Sequence, residues 1–162
     1  MRNFCASLIM YLAIGFAASA QEAVYLIRHG EKELSGADPA LTPEGRLRAA
    51  AWAEMLGDVG LDAIITSDAL RTQETGGIVA SALGLQANAL PKGDVAGLFD
   101  TLEFDHEDDT VLIVAHAETI PRILEYFGVL EDVAIEQHEF ANLYVVLRPS
   151  SDDPTYIHLL MP

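Results

Sequence analysis

Apolar positions in this chain fall into short runs separated by longer stretches of helical period. "AVYLI" (23–27) is a continuous apolar run, the pattern of a parallel strand covered on both faces. Residues 41–57 follow helical spacing, with Thr42 suited to the N-cap, Pro43 to the first turn and Gly57 to the stop. Leu47, Ala51 and Met55 recur every four residues, and Trp52 and Leu56 widen that apolar stripe. Glu44 and Arg48 are spaced as an i,i+4 ion pair. "DAIIT" (62–66) predicts a second strand, followed by a helix from about Asp68 to Leu83 that Gly76-Gly77 weakens. A short strand within 86–93 and a short helix over 94–104 come next. "TVLIVA" (110–115) is the third strong strand and "TIPRILEYFG" (119–128) another helix. "NLYVVL" (142–147) and "TYIHLLM" (155–161) are late strands on either side of the turn-like "RPSSDDP". This alternation predicts one α/β layered domain with a largely parallel sheet.

The first twenty residues carry a different pattern. Arg2 precedes the uncharged run "FCASLIMYLAIGFAASA", which ends in Ala18-Ser19-Ala20. A basic start, an apolar middle and an A-x-A end describe a signal peptide cleaved after Ala20. The competing reading is an uncleaved anchor, because the run almost reaches the roughly 20 residues needed to span a bilayer. Cleavage would leave residues 21–162 as the domain and make the protein exported, periplasmic or secreted, with no stable membrane association. It would also remove Cys5, the only cysteine, and with it any disulfide or thiolate chemistry.

Charge narrows the choice of partners. The formal net charge is −16, a surface that repels nucleic acid and anionic lipid. Any anion site must then be a local cluster of cations working against the global field. The strand ends supply one. "AVYLI" is followed by Arg28 and His29, "DAIIT" by Ser67 and, one helical turn later, Arg71, and "TVLIVA" by His116. Ligands of open α/β sheets bind outside the carboxyl ends of the strands. If these strands are parallel and adjacent, two arginines and two histidines meet, and a helix N-terminus near Ser67 adds partial positive charge. Taken singly, each histidine also fits a structural role and Arg71 a solvated surface charge. Side by side, Arg28 and His29 repel each other unless an anion or compensating acids are present.

The blocks "LIRHGEK", "DPALTPEGRLRA", "TSDALRTQET" and "VLIVAHAETIP" together resemble the successive motifs of the histidine phosphatase superfamily. The likeness covers nearly all of residues 21–162. It implies a phosphoglycerate mutase-like fold, a three-layer α/β/α sandwich with a mostly parallel sheet. It also implies that His29 is the nucleophile and that Arg28, Arg71 and His116 form the phosphate pocket. A neutral imidazole can attack phosphorus, and planar guanidinium groups suit the charge spread over the transferring oxygens. Gly30 would let backbone approach the phosphate closely. The implied activity is phosphomonoester hydrolysis through a phosphohistidine, on a phosphorylated small molecule, with no metal or other cofactor.

The likeness thins at the proton donor. Segment 84–104 lacks the glutamate-bearing block of many relatives, and Ala117-Glu118-Thr119 follows His116 where glycine or a serine-asparagine pair is common. Glu118 is the candidate acid, with stabilisation of a helix N-terminus as its alternative role. Glu31 is a second candidate, or a partner of Arg28 or Arg71. Two H-x-E pairs, "HGE" and "HAE", also raise a divalent-metal reading, against which the neighbouring arginines argue. The "DHEDD" run (105–109) lacks EF-hand spacing and reads as a solvated acidic turn. His106, His138 and His158 read as surface or structural, with His138 also placed to line the pocket rim. A non-catalytic phosphate-binding protein of the same fold is the rival class. A mutase proper fits less well, since export separates it from glycolysis and 84–104 leaves little substrate cap.

Overall fold

A computed structural model describes residues 23–147, 149 and 154–161; the candidate signal peptide lies outside them. Ten elements follow in chain order: β1 (Ala23–Arg28), α1 (Pro43–Met55), β2 (Ala63–Ser67), α2 (Leu70–Leu83), β3 (Ala87–Leu90), α3 (Val95–Asp105), β4 (Thr110–Ala115), α4 (Ile120–Tyr126), β5 (Asn142–Leu147) and β6 (Thr155–Leu160). The strands form one sheet in the order β3-β2-β4-β1-β5-β6. β3, β2, β4 and β1 run parallel, while β5 and β6 are antiparallel to their neighbours.

β1, β2, β4 and β5 each alternate their side chains between two apolar layers. Val24, Leu26, Ile65, Val111 and Ile113 pack on one side with Leu98 and Leu102 of α3 and Ile120 and Ile123 of α4. Ile27, Ile64, Leu112, Val114 and Val145 pack on the other with Trp52 and Ala53 of α1 and Val79 and Ala80 of α2. Strands covered on both faces can be apolar throughout, which is why β1 and β4 read as unbroken runs. The result is the three-layer α/β/α sandwich.

The face that α1 buries differs from the stripe expected. Gly45, Ala49, Trp52 and Ala53 are buried. Leu47 is 73% exposed and Met55 is on the surface. The cause is a backbone contact. A side chain on Gly30 would place Cβ 2.6 Å from the Gly45 carbonyl oxygen, so the two chains touch main chain to main chain. Thr42 reinforces this, donating its N–H to the Glu31 carbonyl at 2.8 Å and accepting from Gly45 N at 3.1 Å as the N-cap. With Gly45 pinned inward, helical geometry brings 49, 52, 53 and 56 to the sheet and turns Leu47 away. Arg48 likewise leaves Glu44 for Glu31, donating from Nε at 2.7 and 3.0 Å to the two carboxylate oxygens.

α2 starts at Leu70 rather than Asp68, because its cap comes from a distant loop. The Leu70 N–H donates to both carboxylate oxygens of Asp38, at 3.1 and 3.0 Å. Gly76 faces β2, where any side chain would strike Thr66, so the glycine that weakens helix propensity is what lets α2 lie close to the sheet.

Gly45→Ala is expected to destabilise the fold by about 1–3 kcal/mol, the usual cost of forcing extra atoms into a packed contact. Leu47→Ala should change stability by less than about 0.5 kcal/mol. Urea unfolding of both variants checks the pair, and a larger loss at Leu47 would restore the stripe read from spacing.

Candidate active site

Parallel pairing of β1 with β4 aligns Arg28 with Ala115, so the residues that follow, His29 and His116, leave the sheet side by side. The His29 N–H donates to the Ala115 carbonyl at 3.1 Å, extending the ladder one residue beyond the strand. The two imidazoles meet edge to face with centroids 5.3 Å apart, and both are almost fully buried. β2 lies on the far side of β4 and brings Ser67; the first turn of α2 brings Arg71. The structure thus gathers Arg28, His29, Arg71 and His116 at one end of the sheet, as the strand-end pattern predicts.

The protonation of His29 follows from its neighbour. Nδ1 lies 2.7 Å from the Gly30 carbonyl oxygen, which can only accept, so Nδ1 carries the hydrogen and Nε2 keeps its lone pair. Burial pushes the His29 pKa down to about 3, and the nearby His116, Arg28 and Arg71 push the same way against the Gly30 hydrogen bond. His116 is pushed down to about 4, first by burial, then by Arg71, Lys92 and Arg28, with Asp38 opposing.

The arginines are held by different means. Arg28 Nη1 donates to the carbonyls of Glu136, Gln137 and Glu139 at 3.0, 3.1 and 2.9 Å, and the Phe140 ring lies 4.1 Å from its guanidinium carbon. Burial lowers the Arg28 pKa, while Glu118 is the charge that most opposes the shift. Arg71 Nη2 lies 3.2 Å from His116 Nδ1, and Nη1 lies 3.6 Å from Asp38. In both arginines the Nε–H is buried and finds no partner among the described residues. An unpaired buried donor costs about 1–3 kcal/mol, more when charged, so an anion that reached these groups would recover part of that cost.

Several expectations are corrected here. The Arg28 guanidinium beside His29 touches backbone carbonyls and an aromatic ring, while the acids Glu118, Glu31 and Glu139 act on it from a distance. Glu31 pairs with Arg48, not with Arg28 or Arg71. The Gly30 N–H is taken by Thr75 Oγ1 at 3.1 Å, and the close approach that Gly30 permits is to Gly45. The α2 N-terminus near Ser67 is capped by the Asp38 carboxylate, which offsets its positive end. Glu118 stands at the rim, its side chain 62% exposed and 3.9 Å from Lys92. With Glu31 and Glu118 turned to cations, the two H-x-E pairs do not form a cage, and no three His, Cys, Asp or Glu side chains converge among the described residues. His106 bonds Asp109 and His158 bonds Asn142, while His138 is exposed within the segment whose carbonyls hold Arg28.

Thr75, Asp38, Lys92 and Phe140 belong to the site and escape sequence reasoning. Thr75 had a signal, since it lies four residues after Arg71 on the same helical face. The other three arrive on loops, where spacing carries no face. Beside His116 a largely apolar cleft of about 40 Å³ opens between Ser67, Leu90, Val95, Leu98, Thr119 and Ile123.

Two histidines and two arginines thus stand together at the carboxyl ends of the parallel strands. The family model of the histidine phosphatase superfamily (branch 1) matches residues 24–92. Similar proteins include "Probable phosphoglycerate mutase GpmB" of Yersinia enterocolitica, 38% identical over 76 residues, which are 43% of this chain and 35% of that protein. Its namesake in Serratia proteamaculans is 39% identical over 70 residues, covering 39% and 33%. The chain spans about a third of the length of these curated relatives. Among solved structures, mycobacterial glucosyl-3-phosphoglycerate phosphatase superposes with a TM-score of 0.67 at 15% identity, over 87% of this chain and 99% of that one. The protein histidine phosphatase SixA in complex with tungstate gives 0.65 at 22% identity, over 85% and 96%. Residues 24–92 thus carry the match to the histidine phosphatase superfamily, and the described fold is of the same kind as in these structures.

The lowered histidine pKa values fix a sign. Unfolding returns each toward 6.5, so below that pH the unfolded chain binds more protons than the folded one. Stability should therefore fall as pH drops from about 6.5 toward 4, by at most about 1.4 kcal/mol per pH unit for each histidine, and show no such term above 6.5. Urea midpoints across this range should fall less steeply for His29→Gln than for the wild type. Equal slopes would show that His29 is not held neutral by burial.

Proposed function

We propose that this protein hydrolyses a phosphomonoester, without a metal, through a phosphohistidine on His29. The observation that carries this reading is a buried neutral histidine, with its Nε2 lone pair uncommitted, clustered with two guanidinium Nε–H groups that lack partners. Nε2 attacks phosphorus as the ester P–O bond breaks. Arg28 and Arg71 stabilise charge on the equatorial oxygens, and the leaving oxygen takes a proton from Glu118. Water then attacks the phosphohistidine, returning a proton to Glu118 and releasing phosphate from a regenerated His29. Glu118 is supported as the acid by its place on the same loop as His116, two residues further along the chain.

The cleft beside His116 favours a second reading. Its enclosed space is only about 40 Å³ and its lining largely apolar, which favours a substrate gripped at the phosphoryl group rather than in a deep pocket. A phosphorylated side chain of another protein would fit such a site, and SixA, by its name, acts on protein phosphohistidine. A P–N substrate also asks less of Glu118, because an imidazole leaves more readily than an alkoxide.

Export belongs to the same proposal and rests on the basic start, apolar run and A-x-A end of the first twenty residues. Mass spectrometry of the protein from the exported fraction should find a chain beginning at Gln21.

Wild-type protein should hydrolyse an aryl phosphate in EDTA, and His29→Ala should lose at least about a hundredfold. Equal rates for the two would remove the nucleophile, and phosphate binding without turnover would make the protein a binder. Glu118→Gln should cost more on alkyl than on aryl phosphates; an equal loss on both would remove its acid role. Faster turnover of a phosphohistidine-bearing protein than of any monoester in a panel would select the second reading.

A further inference from the structure

Around His116 one hydrogen bond has a direction that chemistry alone settles, and the others are assigned from it. A guanidinium has no acceptor, so Arg71 Nη2, 3.2 Å from His116 Nδ1, must donate to it. Nδ1 therefore bears the lone pair, and the single proton of the neutral ring sits on Nε2. Nε2 lies 2.9 Å from Ser67 Oγ, which accepts. The Ser67 hydroxyl then sends its own hydrogen to Thr72 Oγ1 at 2.7 Å. Thr72 in turn donates to the Ala69 carbonyl, also at 2.7 Å. The chain runs one way from Arg71 through His116, Ser67 and Thr72 to a main-chain oxygen. Thr72 is fully buried and Ser67 half-buried.

We propose that Ser67, backed by Thr72, is a positioning residue that holds His116 in its Nε2–H tautomer, so that Nδ1 faces the phosphoryl group and takes up a proton when that group binds. This rests on the phosphatase reading for its functional meaning, though not for its geometry. A phosphoryl oxygen approaching Arg71 would meet the Nδ1 lone pair, and two acceptors repel. A proton on Nδ1 turns that contact into a charge-assisted hydrogen bond while Ser67 keeps the other nitrogen. The proton comes from the monoanionic form of the phosphoryl group or from solvent, so no bond other than N–H is made.

The charges facing His116 set the balance. Arg71 from α2, Arg28 from the end of β1 and Lys92 from the β3–α3 turn disfavour the imidazolium, while Asp38 favours it. His29 stands 5.3 Å away, and Glu118 lies on the same loop, paired with Lys92. Without an anion the cations hold the ring neutral. A bound phosphoryl dianion reverses the field at Nδ1.

Nitrogen-15 NMR of the imidazoles, with inorganic phosphate as the probe, tests this. Ligand-free wild type should show His116 as the Nε2–H tautomer, and saturating phosphate should bring a second proton to Nδ1. Ser67→Ala should show mixed tautomers and lower kcat on an aryl phosphate by about 10–100-fold with a smaller change in KM, the scale of losing a histidine's orienting partner. Ser67→Thr should restore most of that loss. An Nδ1–H tautomer in the ligand-free wild type would overturn the proposal. So would a His116 that stays singly protonated with phosphate bound, or a Ser67→Ala protein with unchanged tautomer and kcat. If Ser67→Ala does not fold, the wild-type spectra decide. They need no turnover, so failure of the phosphatase reading, seen as equal rates for wild type and His29→Ala, registers separately.

Discussion

The in-register parallel pairing of β1 with β4 is the constraint on which the site depends. Because Arg28 sits opposite Ala115, the next residue on each strand is a histidine, and the ladder continues through the His29 N–H to the Ala115 carbonyl. A slip of one residue would send one imidazole to the opposite face of the sheet. The apolar runs on both sides hold the register, since Ile27, Leu112 and Val114 face one buried layer and Leu26, Val111 and Ile113 the other. The energy that fixes the geometry of the histidine pair is therefore hydrophobic burial several residues below it.

Above that floor, the site concentrates positive charge in an acidic molecule. Nine Lys and Arg stand against twenty-five Asp and Glu, and Arg28, Arg71 and Lys92 all act on His116. Such a cluster would be unstable if its histidines were also charged. Burial and these cations keep both rings neutral, which leaves His29 Nε2 with its lone pair. The arginines are restrained without being neutralised, since carbonyls, an aromatic face and a partly exposed Asp38 leave a net charge for an oxyanion to meet.

Thr75 joins the two halves of this arrangement. Its hydroxyl accepts from the Gly30 N–H and donates to the Arg71 carbonyl at 2.7 Å, tying the first turn of α2 to the residue whose carbonyl orients His29. Gly30 is held on its other side by Gly45. The backbone after β1 thus has little freedom, and each side chain it presents is aimed by main-chain contacts.

The strands, the helices and the four charged or ionisable residues at the strand ends were legible because each depends on local pattern. A run of apolar residues, a Thr-Pro start or a histidine after a strand carries its meaning within a few positions. The face of α1, the partner of Arg48, the cap of α2 and the loop that grips Arg28 were not legible. Leu47 lies on a helical stripe yet faces solvent, because Gly45 must press against Gly30, fifteen residues earlier. Glu31 follows Arg28, His29 and Gly30 yet serves α1, because that same contact brings Arg48 within reach. The sequence by itself determined the order of elements, their two-sided burial and the identity of the oxyanion cluster. Only the tertiary structure decided which donors remain unpaired and which nitrogen of each histidine carries the proton, because those depend on atoms brought together from distant parts of the chain.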